Sequence, residues 1–359
     1  MAFKQYDRRP SFLDIELSNV IGKSRTHKFL SEVDSCIDWD PLEEIVTSNY
    51  PVGQSEYGNS AYPPLMLLKA MLLQKWFGIK SDPELETQIN DRISFKTFMG
   101  LPLADPSPDH SIICRFRERV GRDTLEDIHH ELLTQLNAQG FSIESGMAVD
   151  ARIVKSASRP VSDKKLKALR TQRKAQANQR KKTQQSMRFE RDLESDWTVK
   201  NNRPVFGMKE HAAIDVESGL VLSTTISKAS AHDTNYFQYA VTNAIHGRNL
   251  PPKVYADKGY CGRPNRDFLS INGISDGIMR KNQINASLTE EEIQRNKKIS
   301  KVRYKIEQYF GITSRYHGAG KARFTTIIKE HWDHLSGAMA FNIKRAVLAK
   351  RRQENMAVV

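Results

Sequence analysis

The chain has little that would staple it, anchor it or export it. Its 359 residues contain three cysteines, Cys36, Cys114 and Cys261, far apart and odd in number. No CxxC pair occurs, so a disulfide framework, a zinc knuckle and a dithiol redox centre all lack their ligands. No run of about 18 apolar residues is present to cross a bilayer as a helix. The opening stretch, MAFKQYDRRPSF, lacks the apolar core of an export signal. A reduced, cytoplasmic setting is expected. Acidic residues are also short: 42 Asp and Glu stand against 55 Lys and Arg, a net charge of +13. With the membrane reading gone, that excess points to a polyanionic partner, DNA or RNA. What is present suffices for a folded protein. Hydrophobic residues are 39% and aromatics 8%, and the length allows two or three units.

Residues 1–60 carry short helical patches at 28–37 and 41–47 and say little else. Residues 61–140 read as helical. Pro63 and Pro64 sit where a helix opens, and LMLLKAMLLQKWFG follows, apolar on most faces. Pro83 opens another helix, and Asp109 precedes a third whose Arg115, Arg117, Arg119 and Arg122 form a basic surface, either a solvated face or a phosphate-contacting one. One more helix ends at Gly140. From 141 to 350 the pattern changes. MAVDARIV (147–154) reads as a buried strand with Asp150 in its middle. A buried, unpaired carboxylate is costly, so it needs a cation, a metal or a hydrogen-bond network. An insert at 159–205 follows. Its 159–191 portion has twelve Lys and Arg against Asp163 and Glu190, with no apolar stripe, and fits a segment that lies along a phosphate backbone. Lys174, Arg180, Lys181 and Lys182 are its candidate contacts.

Strands then resume at 207–215 and 220–226 around the turn DVESG. A helix at 236–245 follows, with Asp233 as candidate N-cap. KVYADKGY (253–260) holds a short strand ending on Asp257. A helix near 264–271, a strand near 274–279, a short helix at 288–294, a long helix at 297–315 and a last helix at 325–351 complete the chain. A strand hairpin followed by alternating helices and strands argues for a mixed sheet covered by helices. The fold class is mixed α/β, and the ribonuclease H-like fold has this order of elements.

Asp150 on one strand, Asp257 at the end of another and Glu307 on the long helix make an oxygen-rich set. Phosphodiester chemistry needs a deprotonated oxygen nucleophile and charge relief on the leaving oxygen, which two divalent ions about 3.5–4 Å apart supply. Hard Mg²⁺ prefers such carboxylates. Val302, Ile306, Tyr309 and Thr313 lie on one stripe of the long helix, with Glu307 at its border. Arg303, four residues before Glu307, can orient it or touch a phosphate. Lys258 and Arg315 are further phosphate candidates. Bland readings are preferred for the remainder. His211, His232, His331 and His334 are taken as surface or packing residues, Asp215 as a turn residue, and Trp197, Tyr260 and Trp332 as packing groups rather than base-stacking ones.

Several stretches together resemble bacterial insertion-sequence transposases of the DDE class, in the insertion sequence five group. YPPLMLLKAMLLQKWFGIKSDPELETQINDRISFKTFMGL with PSPDHSIICRFRERV is similar to that group's helical N-terminal domain. VDARIVKS, GMKEHAAIDVESGLV, SAHD, ADKGYCG and RYKIEQYFG are similar to its catalytic core. The resemblance implies a metal-binding triad of Asp150, Asp257 and Glu307, with Arg303 assisting, and Mg²⁺ ions (Mn²⁺ substituting), two per site. It implies inverted-repeat DNA ends and target DNA as partners, a homodimer on DNA, and a bacterial, nucleoid-associated location. The family signature has a Tyr three residues before the Arg and a Lys seven after the Glu. Those positions are Ser300 and Ser314, with Arg315 adjacent. Rival readings are a transposase-derived DNA-binding regulator without catalysis, and a metal-dependent nuclease without strand transfer.

Overall fold

The computed structural model describes residues 3–6, 22, 24–53, 59–141, 145–180, 192–282 and 286–357. They fall into two compact units. One comprises Met1–Ser142, Tyr316–Gly318 and Leu335–Val359, and the other Ile143–Arg315 and Ala319–His334. The segment 1–60, set apart in sequence, therefore groups with the helices that follow it. So does the C-terminal part of the last helix.

The first unit is helical: α1 (Arg25–Cys36), α2 (Asp40–Asn49), α3 (Pro64–Trp76), α4 (Asp82–Asp91), α5 (Ile93–Met99), α6 (His110–Val120) and α7 (Arg122–Ala138). Proline in the first turn starts α3, and its apolar run is buried on every side, Gln74 and Lys75 included. Ser81 caps α4 by accepting from Glu84 N–H, and Asp109 caps α6 by accepting from Ser111 N–H. The most deeply buried cation here is paired. Arg117 donates to both carboxylate oxygens of Asp82, at 2.6 and 2.7 Å, and to Gln74 at 3.1 Å.

The second unit is built on one six-stranded sheet: β1 (Met147–Lys155), β2 (Asp196–Lys200), β3 (Arg203–Asp215), β4 (Val221–Lys228), β5 (Lys253–Ala256) and β6 (Ser275–Ile278). β3 is the long central strand. Its first residues pair with β2, and the rest pairs with β1 on one edge and β4 on the other, all antiparallel. β1 then pairs parallel with β5, and β5 with β6. The sheet is mixed, as the pattern of elements predicts. Helices α8 (Asp163–Arg180), α9 (Thr234–Ala244), α10 (Arg263–Ile271) and α11 (Glu290–Tyr316) connect and cover it, and α12 (Ile327–Ala357) closes the chain.

The structure departs from the sequence reading in three places. β2 lies inside the predicted insert and turns into β3 through Asn201 and Asn202, both at positive φ (51° and 59°). Two consecutive left-handed residues make the tight hairpin turn that Asn tolerates. The two helices expected at 288–294 and 297–315 are one. A reciprocal capping box between Thr289 and Glu292 starts it, and no Gly or Pro interrupts RNKKIS. Asp233 does not cap α9. Its carboxylate accepts from Lys209 at 2.7 Å instead. Gly207 matters sterically, because a Cβ there would fall 2.1 Å from Val154 O, so only glycine lets β3 pass β1 at that point.

Candidate active site

The register of the parallel pair builds the site. Val149 pairs with Ala256, both buried. One residue further on each strand comes Asp150 and Asp257, which therefore emerge side by side on the same face. Asp150 accepts a hydrogen bond from Ala151 N–H at 2.8 Å. Asp257 ends its strand and caps a one-turn 3₁₀ helix by accepting from Lys258 N–H at 2.7 Å. A carboxylate at the carboxyl end of a parallel strand, opened by a turn, is where such sheets place reacting groups.

α11 brings the third element. Its buried stripe is Ile299, Arg303, Ile306, Tyr309, Phe310 and Thr313, so Arg303 rather than Val302 occupies the inner face. The Arg303 guanidinium lies 2.5 Å from Asp150 and 3.8 Å from Asp257, so one cation faces both acids. Glu307 follows one helical turn later and is exposed. Burial pushes the Asp150 carboxyl above its usual range. The Arg303 charge opposes that shift, and the Asp257 charge adds to it. Positive charge thus favours the ionised form of Asp150, and among the described residues Arg303 is the cation that faces both acids.

Residues 141–343 match the family described as Transposase DDE domain, and residues 19–119 match Transposase domain (DUF772). The chain belongs to the DDE-domain transposases. Solved structures with a likeness include the piggyBac transposase synaptic complex with hairpin DNA, at 9% identity and a TM-score of 0.39, covering 97% of this chain and 77% of that one. A pre-cleavage Mos1 transpososome is another, at 9% identity and a TM-score of 0.21, covering 83% and 82%.

Membership in this transposase family implies a divalent metal. The donor set fits one: hard carboxylate oxygens, two of them already gathered around a cation and one of them held by burial against ionisation. Asp150, Asp257 and Glu307 are not drawn together as a three-ligand group. Among the described residues, Glu86, Asp109 and His110 alone form such a group within 4.8 Å. That second set has a simpler role at the start of α6. Glu86 accepts from His110 N–H at 2.9 Å and lies 2.8 Å from its Nδ1, an acid at a helix N-terminus where anions are favoured.

Behind the transposase's acids lies a sealed charge cluster that sequence reasoning missed. Two residues beyond Asp150, Arg152 donates to Glu210 at 2.5 Å and to Phe310 O and Ser314 Oγ on α11 at 2.7 and 2.9 Å. Glu210, fully buried, also accepts from Tyr309 at 2.9 Å and Thr224 at 3.0 Å. His334 lies 2.9 Å from Glu210 and 3.2 Å from Glu330. Burial disfavours ionised Glu210, yet the Arg152 and His334 charges hold its carboxyl below the usual range. Burial likewise opposes charge on His334, but its two carboxylate neighbours raise it to about 9. The cluster bolts α11 to the strand carrying Asp150. Its sequence signal was a charged Glu inside the apolar strand GMKEHAAID.

The remaining candidates separate cleanly. Arg117 is corrected: it is 2% exposed and bound to Asp82, so it is a structural cation and not a phosphate contact. Arg115 is exposed and donates to Ser111 O and Oγ on its own helix. On α8, Lys167, Arg170 and Arg173 face Asp163, Asp196 and Glu194, while Lys174 is exposed. Arg180 ends the helix, and Lys181 and Lys182 lie outside the described residues. Lys258 and Arg315 are exposed. His211 is buried, bonded to Ser227 at 2.8 Å and stacked on Tyr236 at 4.3 Å. His331 and His334 are buried rather than superficial. Trp197 packs on Phe206 and donates to Val161 O. Tyr260 and Trp332 are core residues. No described helix is long and apolar enough to cross a membrane.

Proposed function

We propose that the chain is the transposase of an insertion sequence, which binds the inverted repeats at its element's ends, cuts there and joins the freed ends to target DNA. One observation carries the reading. Asp150 and Asp257 emerge together from adjacent parallel strands and share Arg303, and Glu307 follows one turn later on the same helix. The strand order, an antiparallel hairpin set beside parallel strands, supports a ribonuclease H-like core.

Asp150, Asp257 and Glu307 would hold Mg²⁺, with Mn²⁺ substituting, as a pair of ions. Bound there, the metal supplies charge neutralisation at phosphorus and a deprotonated oxygen nucleophile at neutral pH. The chain's own groups do the remainder. The Arg303 charge opposes the effect of burial on Asp150 and orients both strand acids. The cluster around Glu210 holds α11, and so Glu307, against the sheet. In the first step a water oxygen attacks phosphorus at the element end. The bond from phosphorus to the 3′ oxygen breaks, leaving a 3′-hydroxyl on the element and a 5′-phosphate on the flank. In the second step that hydroxyl attacks a target phosphodiester, forming a new phosphorus–oxygen bond while the target's 3′ oxygen leaves. Arg115, Lys174, Lys258 and Arg315 are the exposed cations offered to the DNA backbone. Two ends must meet for joining, which calls for a homodimer on DNA.

The test is cleavage and strand transfer on a duplex carrying the element's own end, with Mg²⁺ and with chelator. Metal-dependent cutting followed by joined product is expected. Binding without any cut would put a non-catalytic regulator in its place, and cutting without joining would leave a nuclease.

A further inference from the structure

A groove of about 640 Å³ opens directly beside Asp257, within the range of small-molecule and nucleotide sites. Its walls differ in character. Met279 and Leu288 form an apolar side, while Lys258 and Lys281 bring two exposed ammonium groups. Neither lysine has a carboxylate within ion-pair distance among the described residues. The floor is braced, since Asn296 accepts from Arg280 N–H at 2.9 Å and donates to Arg280 O at 3.0 Å.

Positive charge is over-supplied along this edge of the sheet. Asp276 on β6 is shared by three guanidiniums: Arg280 at 2.8 Å, Arg295 at 3.7 Å and Arg266 at 3.8 Å. Burial and the neighbouring Arg280 charge together push the Arg295 guanidinium below its ordinary value. Three arginines and two lysines stand against Asp276, Asp257 and Glu292, and the local cationic excess that remains is one an anion would relieve. An anionic group with an apolar flank, next to a phosphodiester-cleaving acid, is a nucleotide of a DNA strand.

We propose that this groove seats a nucleotide close to the cut phosphodiester, its phosphate on Lys258 and Lys281 and its sugar and base against Met279 and Leu288. The inference rests on the transposase reading and assigns one side of that same site to the DNA strand, with Lys281 as the new contact. Lys281 is exposed, so its replacement leaves the fold intact.

The experiment uses the full chain and a duplex of the element's end, pre-cut to a 3′-hydroxyl. Phosphates near the cut are neutralised one at a time as methylphosphonates, and Kd is read by fluorescence anisotropy for wild type, Lys281→Ala and Lys281→Arg. Losing one phosphate contact is expected to weaken wild-type binding about fivefold at one or two positions. Lys281→Ala should weaken binding of unmodified DNA by a similar factor and add nothing at those positions, because the lost partners are the same. Lys281→Arg should bind like wild type. Penalties that multiply at every position, or a Lys281→Ala chain that binds unmodified DNA like wild type, overturn the assignment. If wild type binds and cuts the end while the penalties multiply, the groove alone is wrong. If wild type neither binds nor cuts, the transposase reading falls and takes the groove with it.

Discussion

Two charge clusters stand two residues apart along β1, on the same face of the sheet. At Asp150 two acids share one arginine, and the second of them, Asp257, borders an open groove. At Arg152 two acids, an arginine and a histidine close on one another with nothing exposed. The residue types are nearly the same, although Arg152 is buried more deeply than Asp150. What differs is balance. Arg152 and His334 answer Glu210 and Glu330, whereas among the described residues Arg303 alone answers Asp150 and Asp257. A sealed, balanced cluster is structure. An open, under-balanced one has capacity left for a cation and a substrate.

The sharpest way to break this comparison is to neutralise each acid. Asp150→Asn, Asp257→Asn or Glu307→Gln should lower DNA cleavage by on the order of 10² to 10³ or more, with end binding and the unfolding midpoint kept. Cleavage assays beside anisotropy and denaturation check this, and normal cutting would make the acids structural. Glu210→Leu should do the reverse. It leaves Arg152 and His334 buried without their shared partner, which costs about 3–5 kcal/mol of stability by urea denaturation. Any loss of cutting there should follow the unfolded fraction or the looseness of α11.

The pH dependence sharpens the contrast. His334 has its pKa raised from 6.5 to about 9, so its charged form is favoured in the fold. That contribution, about 3 kcal/mol, is fully present below pH 6.5 and disappears as pH rises through 9. His211 runs the other way. Burial lowers its pKa to about 4, so its contribution is present above pH 6.5 and disappears as pH falls toward 4. Denaturation midpoints should therefore decline on both sides of about pH 6.5, and His334→Gln should flatten the alkaline limb. Tyr309→Phe, which deletes one bond to Glu210, should cost about 1.5–3 kcal/mol. The smallest expected effect is at α8. Lys174→Ala should weaken DNA binding slightly and reduce the salt slope by about one, and an unchanged slope would remove α8 from the interface.

Much of the candidate site was readable along the chain because each acid sits in a local setting that exposes it. Asp150 interrupts a run of apolar strand residues, Asp257 ends one, and Arg303 and Glu307 are four apart on a helix. The sealed cluster was not readable. Glu210 looks like one charged residue in a strand, and His334 like a surface histidine in EHWDH. Their meaning depends on partners from β1, β4, α11 and α12. Arg117 misled for the same reason, since a basic helix face and a buried ion pair use the same letters.

By itself, then, the sequence determined the mixed α/β class, the helical first unit, the excess of positive charge and the acids proposed to hold metal. Those follow from periodicity, composition and side-chain chemistry, which are local. Only the tertiary structure decided which charges are balanced. The parallel register set Asp150 beside Asp257, the inner face of α11 placed one arginine between them, and Glu210 was given enough partners to be spent on stability. Charge balance is a sum over neighbours in space, and a buried neighbour can come from anywhere in the chain.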